Sequence, residues 1–277
     1  MKKNMDNLAN PAKQFRVAPG TAVNLGKFNP GATPGITQAE AEAEMPLLIR
    51  QLDRLQQRLY AEGKKALLVV IQAMDTGGKD GLIRHVFGLL NAQGVRVSSF
   101  KVPTKLELSH DYLWRYHLEA PPFGMIGVFN RSHYESLLVE RVRKLAPKEA
   151  LKRRYGEINA FEQYLTDSNT TVLKFFLHIS KAEQKRRIEE RLRDPDKNWK
   201  FSPADIAERA LWDDYQDAFE RVLSRCSTRA APWHVIPSDH KWYRTWLAAR
   251  ITLQTLRGMK CKFPPAAPGI ENVIVPD

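Results

Sequence analysis

An apolar run, Ala66 to Ile71, leads into Ala73-Met74-Asp75-Thr76-Gly77-Gly78-Lys79-Asp80, and an amphipathic stretch follows from Leu82 to Leu90. The order is strand, glycine-rich turn, lysine, helix. It constrains the fold strongly, because such a turn and the helix N-terminus behind it gather backbone N–H groups around one point that attracts phosphate oxygens. Lys79 adds a compact positive charge at the same point. The loop departs from the pattern G-x-x-x-x-G-K-[ST]: Ala73 stands at the first glycine, and Asp80 stands where a hydroxyl would meet Mg²⁺. Asp75 places a second carboxylate inside the loop. Two carboxylates beside a phosphate repel it unless a cation lies between them, so the variant implies a metal held by oxygen ligands. The alternative is a glycine-rich strand-to-helix turn with an incidental lysine.

The rest of the chain supplies the frame for this loop. Residues 1–36 carry Pro, Gly, Asn and Lys without periodicity and read as an extended N-terminal arm. Thr37-Gln38-Ala39-Glu40 is a capping box, and Met45, Leu48, Ile49, Leu52, Leu55 and Leu59 then recur at helical spacing up to Gly63. Strands are expected at 66–72, 95–100, 125–129, 171–179 and 233–236. Helices are expected at 106–118, 132–145, 147–167, 180–193 with a second capping box at Ser180–Glu183, 202–226 with Pro203 at its first position, and 239–258. Strands alternating with helices predict an α/β fold, a three-layer sandwich with helices on both faces of a parallel sheet. Ligands of such sheets bind at the C-terminal strand ends, where the loop lies. Residues 37–277 read as one domain, with a lid at about 187–203.

With 277 residues and 43% hydrophobic content the chain can bury a large core and is not disordered. No apolar run reaches transmembrane length and the first residues lack a secretory apolar core. The two cysteines, Cys226 and Cys261, have no metal-type spacing, so a reduced, cytoplasmic setting is expected. The formal net charge of +12 implies attraction to a polyanion: nucleic acid, an anionic membrane or a long phosphate chain. Charge alone does not choose among them.

Two further clusters carry chemistry. Met125 to Phe129 ends in Asn130-Arg131-Ser132-His133-Tyr134-Glu135, at a strand end where phosphate-loop proteins commonly place an aspartate toward Mg²⁺. Asn130 is a weaker ligand there, and Arg131 suits charge developing on a transferred phosphoryl group. The bland reading is an N-cap asparagine with a packed surface histidine beside it. The run Lys185 to Arg193 brings Arg187 and Arg191 onto one helical face ahead of a polar segment, 194–201, the layout of a lid over a phosphorylated ligand. A charged helix face with internal ion pairs is the commoner meaning of such runs. The basic set Arg141, Arg143, Lys144, Lys148, Lys152, Arg153 and Arg154 reads as soluble surface before a polyanion track.

Together these motifs resemble the polyphosphate kinase type 2 family. The resemblance is carried by Gln72–Gly81, Ser109-His110-Asp111-Tyr112-Leu113-Trp114-Arg115, Phe129–Glu135, Leu173–Ser180, Trp199-Lys200-Phe201, Ala231-Pro232-Trp233 and Lys241-Trp242-Tyr243-Arg244, and it spans about 40 to 258. It implies a P-loop kinase-like, thymidylate-kinase-like fold with a helical lid. It also implies phosphoryl transfer between inorganic polyphosphate and nucleotides with Mg²⁺, Mn²⁺ being a substitute metal. Asn130 and Glu135 resemble the class III pattern, which implies that AMP becomes ADP and ADP becomes ATP. By the same resemblance Asp75 holds the metal, Lys79 binds the transferred group and Arg131 stabilises its charge. Arg187 and Arg191 are lid groups near the nucleotide, and Asn130 and Glu135 lie on the nucleotide side. Gly77, Gly78, Lys79, Asp80 and Arg84 face polyphosphate. Adenine nucleotides, with guanine nucleotides beside them, are the implied acceptors. A homodimer or homotetramer is the implied assembly, with neither nucleic acid nor membrane as a partner.

Two other functions compete. One is an ATP-dependent nucleoside monophosphate kinase of the same fold, against which stand the missing hydroxyl after Lys79 and the strong positive charge. The other is a phosphate-loop-fold protein that binds nucleic acid without catalysis, against which stand Asp75 and Asp80.

Overall fold

The computed structural model describes residues 11–270 and 273–276. Five parallel strands form one sheet: β1 (Ala66–Ala73), β2 (Val95–Ser99), β3 (Ile126–Asn130), β4 (Thr170–His178) and β5 (Trp233–Pro237), in the spatial order β2-β3-β1-β4-β5. β1 lies at the centre, pairing Ile71 with Asn130 of β3 on one side and with Phe175 of β4 on the other. All eight of its residues are buried, as expected of a central parallel strand covered on both faces.

Alternation along β1 divides the core. Leu67, Val69 and Ile71 face Leu82 and Val86 of the helix Lys79–Val86 and Leu247 and Ile251 of the C-terminal helix Lys241–Met259. Leu68 and Val70 face Ile158 and Phe161 of the helix Lys148–Asp167 and Phe219 and Leu223 of the helix Trp212–Arg225. Each fully buried side chain of this size is worth roughly 1.5–3 kcal/mol. The three-layer α/β/α expectation therefore holds. The first long helix, Gln38–Glu62, starts on the Thr37 capping box and stops at Gly63, whose φ of 61° is the left-handed conformation that a helix C-terminus favours. No helix among the described residues is long and apolar enough to cross a membrane.

Three expected helices are interrupted. The 106–118 stretch is two short helices, Lys105–Leu108 and Trp114–Leu118, because the Asp111 carboxylate accepts from Leu113 N and Trp114 N and turns the chain between them. The 132–145 stretch is a 3-10 turn at His133–Ser136 and one helical turn at Val139–Val142. The 202–226 stretch breaks at Leu211 into Pro203–Ala210, capped by Ser202 as expected, and Trp212–Arg225. This break leaves Arg209 against the start of the helix Lys181–Arg193, bonded to Lys181 O and Gln184 Oε1, while Trp212 and Tyr215 enter the core. The Ser180 box is half formed. Ser180 Oγ accepts from Glu183 N, but the Glu183 carboxylate turns to Arg186 and Arg187, and Ser180 N donates instead to Asp239 Oδ1 at 2.8 Å.

Residues 1–10 of the N-terminal arm lie outside the described residues. From Phe15 the arm runs antiparallel along the free edge of β5: Val235 N donates to Phe15 O at 2.9 Å and Val17 N to Trp233 O at 2.8 Å. Phe15, Val17 and Leu25 are buried, so the arm covers an edge that would otherwise offer unpaired backbone groups.

A buried charged network lies beneath the turn after β3. Lys174 Nζ donates to Glu162 Oε2 at 2.5 Å, Tyr134 Oη at 2.7 Å and Cys226 O at 2.6 Å. Glu162 Oε1 accepts from Tyr134 Oη at 2.7 Å and from His133 Nε2 at 3.1 Å. Burial disfavours the Glu162 carboxylate, but Lys174 and His133 together hold its pKa below the usual range. Burial also lowers the His133 pKa, so the ring is neutral and carries its proton on Nε2, facing an acceptor. His133 is thus a core residue rather than a surface one. Lys174→Met leaves Glu162 without its counter-charge and should cost about 3–5 kcal/mol, measured by urea unfolding; adding Glu162→Leu should recover a large part of the loss.

Candidate active site

The C-terminal ends of β1, β2 and β3 open into a cleft of about 1510 Å³, walled further by residues of the helices Gln38–Glu62 and Lys241–Met259. β1 delivers the glycine-rich loop. Lys79 is the first residue of its helix, so the N–H groups of Lys79, Asp80 and Gly81 have no intrahelical partner; the first intrahelical bond is Leu82 N to Gly78 O. Gly78 has φ 102°, open to glycine alone, and a Cβ there would lie 1.8 Å from Arg244 Nη1. Thr76, at φ 59°, makes the other left-handed turn of the loop.

Lys79 is buried, and Nζ donates to Ala73 O at 3.2 Å. Burial and then the nearby Arg131 charge lower its pKa to about 8, against the opposing pull of Asp75, Glu135 and Asp80. Burial alone would raise the pKa of Asp75, but Lys79 and Arg131 hold it below the usual carboxylate range. Arg131 Nη2 bonds Asp75 Oδ1 at 2.5 Å, and Arg131 Nη1 lies 3.5 Å from Glu135 Oε2. Burial works against the Arg131 charge, yet Glu135 and Asp75 raise its pKa above the ordinary value. Arg131 takes a φ of 64°, a left-handed conformation costing roughly 1–2 kcal/mol in a non-glycine residue, and its N–H is tied to Ile71 O at 3.2 Å. The turn is thereby fixed to the end of β1, with the guanidinium over the loop.

The two arginines expected on a lid, Arg187 and Arg191 of the helix Lys181–Arg193, divide. Arg191 lies at the cleft margin, with Nη1 3.5 Å from Asp205 Oδ2. Arg187 is buried and fully engaged: Nε bonds Glu183 Oε1 at 2.7 Å, Nη1 bonds Thr76 O at 3.2 Å, and Nη2 bonds Ser238 O at 2.5 Å and Asp239 O at 3.0 Å. It laces the loop to the end of β5. Lys197, Trp199 and Lys200 of the 194–201 segment also line the cleft, and Lys200 Nζ comes within 3.9 Å of Asp80 Oδ2.

Asp75, Gly78, Lys79, Asp80, Asn130, Arg131, Arg187 and Arg191 all meet around one cleft. Glu135 stands behind Arg131 and outside the lining, as does Gly77, where a Cβ would meet Ala73 Cβ at 2.7 Å. Arg84 is exposed and does not line the cleft. The basic set at 141–154 behaves as surface: Arg143 pairs with Glu208 at 2.7 Å and Arg154 with Glu140 at 2.7 Å, and none of the set lines the cleft. Sequence reasoning gave no role to Arg244, which reaches the loop from the C-terminal helix. Its signal is a lone arginine in the apolar stretch Trp242 to Leu247.

The residues present fit a metal bound jointly with phosphate. Among the described residues no group of three or more His, Cys, Asp or Glu could cage an ion. Asp75 and Asp80 flank Lys79, and Asp80 Oδ1 is oriented by Asn130 Nδ2 at 2.9 Å. One or two carboxylates completed by phosphate oxygens and water is the usual protein share of a Mg²⁺ site.

A glycine-rich strand-to-helix loop at the end of the central strand of a parallel sheet, with a carboxylate and a guanidinium close to its lysine, is the frame of a P-loop kinase-like fold. The family model described as "Polyphosphate kinase 2 (PPK2)" matches residues 35–264, and the chain belongs to that family. It is 48% identical to the "AMP/ADP-polyphosphate phosphotransferase" of Meiothermus ruber over 266 residues, covering 95% of this chain and 99% of that protein. It is 42% identical to the "ADP-polyphosphate phosphotransferase" of Rhodopseudomonas palustris over 269 residues, 92% of this chain and 93% of that one. The crystal structure of polyphosphate kinase 2 from Arthrobacter aurescens TC1 superposes with a TM-score of 0.90 at 44% identity, covering 93% of each chain. The protein is therefore an enzyme, a kinase whose family uses a divalent metal.

Because Lys79 titrates near 8, the free enzyme holds its charge below that pH and loses it above. Affinity for a phosphate donor should fall as pH rises through about 8, and lysine-selective NMR titration should give that midpoint. Arg131→Gln removes a charge that depresses the Lys79 pKa and should move the midpoint upward.

Proposed function

We propose that this enzyme transfers phosphoryl groups from inorganic polyphosphate to AMP and to ADP, forming ADP and ATP, reversibly and with Mg²⁺. Mn²⁺ is the substitute metal and guanine nucleotides are secondary acceptors. The observation that carries the reading is the Lys79–Asp75–Arg131–Glu135 constellation at the ends of β1 and β3, found in a chain similar along 95% of its length to a phosphotransferase named for both acceptors.

In the transfer, an oxygen of the nucleotide's terminal phosphate attacks the end phosphorus of polyphosphate. The bridging P–O bond breaks, and the chain leaves one phosphate shorter. Lys79 and the N–H groups of Lys79–Gly81 hold the transferred group; Arg131 offsets its charge in the transition state. Asp75, with Asp80 beside it, would hold the Mg²⁺, which when bound neutralises charge on the phosphates. Arg191 closes over the nucleotide phosphates. Arg187 contributes by fixing the loop backbone. Asn130 orients Asp80, and Glu135 sets the position of Arg131 and through it the preference between mono- and diphosphate acceptors.

The free, buried cysteines Cys226 and Cys261 support a reduced, cytoplasmic setting. A homodimer or homotetramer is the proposed assembly, for which the exposed Leu106, Leu108 and Leu118 offer apolar surface.

Purified protein with Mg²⁺, long-chain polyphosphate and AMP, with no ATP added, should yield ADP and then ATP. ADP alone would retract the second acceptor; product only from an ATP donor would make this an ordinary nucleoside monophosphate kinase. Lys79→Ala and Arg131→Ala should each lower kcat at least about 10²-fold with unchanged circular dichroism. Glu135→Asn should change the ratio of AMP to ADP turnover; equal effects on both would remove its assigned role.

A further inference from the structure

Two successive carbonyls of the glycine-rich loop are held by side chains of one helix, Lys181–Arg193. Gln184 Nε2 donates to Asp75 O at 3.0 Å, and Arg187 Nη1 donates to Thr76 O at 3.2 Å. Gln184 is fully buried. Its other amide atom, Oε1, accepts from Arg209 Nη1 at 2.7 Å, and the same Nη1 donates to Lys181 O at 2.8 Å. The amide thus gives a proton to the loop and receives one from Arg209. A carboxylate can only accept and an apolar side chain can do neither, so the position calls for an amide. Arg131 Nη2 meanwhile bonds the Asp75 carboxylate, which leaves Asp75 fixed at its side chain by Arg131 and at its carbonyl by Gln184.

Arg209 comes from a different element. It belongs to the helix Pro203–Ala210 and lies four residues beyond Asp205, hence on the same face. Asp205 lines the cleft, where Arg191 Nη1 lies 3.5 Å from Oδ2. One short helix therefore presents a carboxylate to the cleft and a guanidinium to the amide that holds the loop. Two hydrogen bonds, Arg209 to Gln184 and Gln184 to Asp75 O, lead from that helix to the loop.

We propose that Gln184 is a positioning residue for the Asp75 carboxylate and that, through Arg209, it ties the loop to the helix Pro203–Ala210. Gln184 acts through the backbone of Asp75, so its influence on the reaction is the precision with which Asp75 is presented to the metal. A shift of Pro203–Ala210 pulls on Asp75 O and on the turn that Thr76 completes in its left-handed conformation. The consequence for the metal rests on the role proposed for Asp75; the tie between helix and loop does not.

The test compares the native chain with Gln184→Leu, Gln184→Glu, Arg209→Met and the double variant Gln184→Leu/Arg209→Met. Amide hydrogen exchange is followed without ligand at Gly77 and Leu82, whose N–H groups bond Met74 O and Gly78 O, with Val69 and Val70 of β1 reporting global opening. Exchange at Gly77 and Leu82 should rise about tenfold in Gln184→Leu and in Arg209→Met, beyond any rise at Val69 and Val70. The double variant should match Gln184→Leu, because the two residues act in series. Gln184→Glu keeps the acceptor for Arg209 and loses the donor to Asp75 O, so its loop should exchange as in Gln184→Leu. With long-chain polyphosphate and ADP, the Mg²⁺ concentration giving half the maximal rate should rise about tenfold in these variants, excess Mg²⁺ should return kcat to within about threefold of native, and the KM for ADP should stay within about twofold. Loop exchange that merely follows Val69 and Val70, or single effects that multiply in the double variant, would overturn the tie. Faster loop exchange with an unchanged Mg²⁺ requirement would overturn the positioning role. If the native enzyme turns over nothing with polyphosphate, the donor reading fails by itself, and the exchange comparison still decides this one.

Discussion

The buried Lys174–Glu162 pair is the interaction on which the geometry of the candidate site depends. It joins β4 to the helix Lys148–Asp167, and through Tyr134 and His133 it grips the turn that follows β3. That turn carries Arg131 in a left-handed conformation, an arrangement that persists only where its surroundings over-determine it. The network supplies that determination from below, and the bond from Arg131 N to Ile71 O supplies it from the side. A charge pair taken out of water is a poor source of net stability, but its directional bonds fix one turn where apolar packing would tolerate several.

Above this base the site is organised by an imbalance of charge. Lys79, Arg131, Arg187, Arg191 and Arg244 converge on a loop that contributes Asp75 and Asp80. The imbalance is tolerable in the free protein because most of the cations have nearby carboxylates, and Lys79 and Arg244 absorb the remainder as lowered proton affinity. A polyanionic donor and its metal complete the balance. Phosphoryl transfer needs positioning and neutralisation more than covalent chemistry, and the roles proposed for these residues are of that kind. Arg187 shows that a basic residue at such a site need not touch substrate: its donors are spent on holding the backbone of Thr76 and of Ser238 and Asp239 in place.

Much of the fold was legible from local pattern. The strands read from apolar runs and alternation, the start of the helix Gln38–Glu62 read from Thr37 and Glu40, and the parallel sheet read from strand–helix alternation. Helix continuity was not legible, because the breaks have causes that sequence spacing does not display. Asp111 bends the chain through a side-chain bond to its own following backbone, and His133 and Tyr134 are drawn into a buried network whose partners lie 28 or more residues away. Arg84 belongs to the same lesson: its neighbourhood to Lys79 along the chain does not bring it to the cleft, since the two side chains leave different faces of one helix.

The sequence by itself determined the family and the class of reaction, because a glycine-rich loop ending in Lys79, the carboxylates Asp75 and Asp80, and Asn130-Arg131 at a strand end are local patterns that are read without the fold. The tertiary structure decided which of the many basic residues reach the cleft. Charge is a property of composition, but whether a given arginine is paired, buried, locked to a backbone or left facing a phosphate site depends on residues remote in the chain. Arg244 approaches Gly78 across more than half of the sequence, and only the packing of the C-terminal helix against the phosphate-loop helix brings them together.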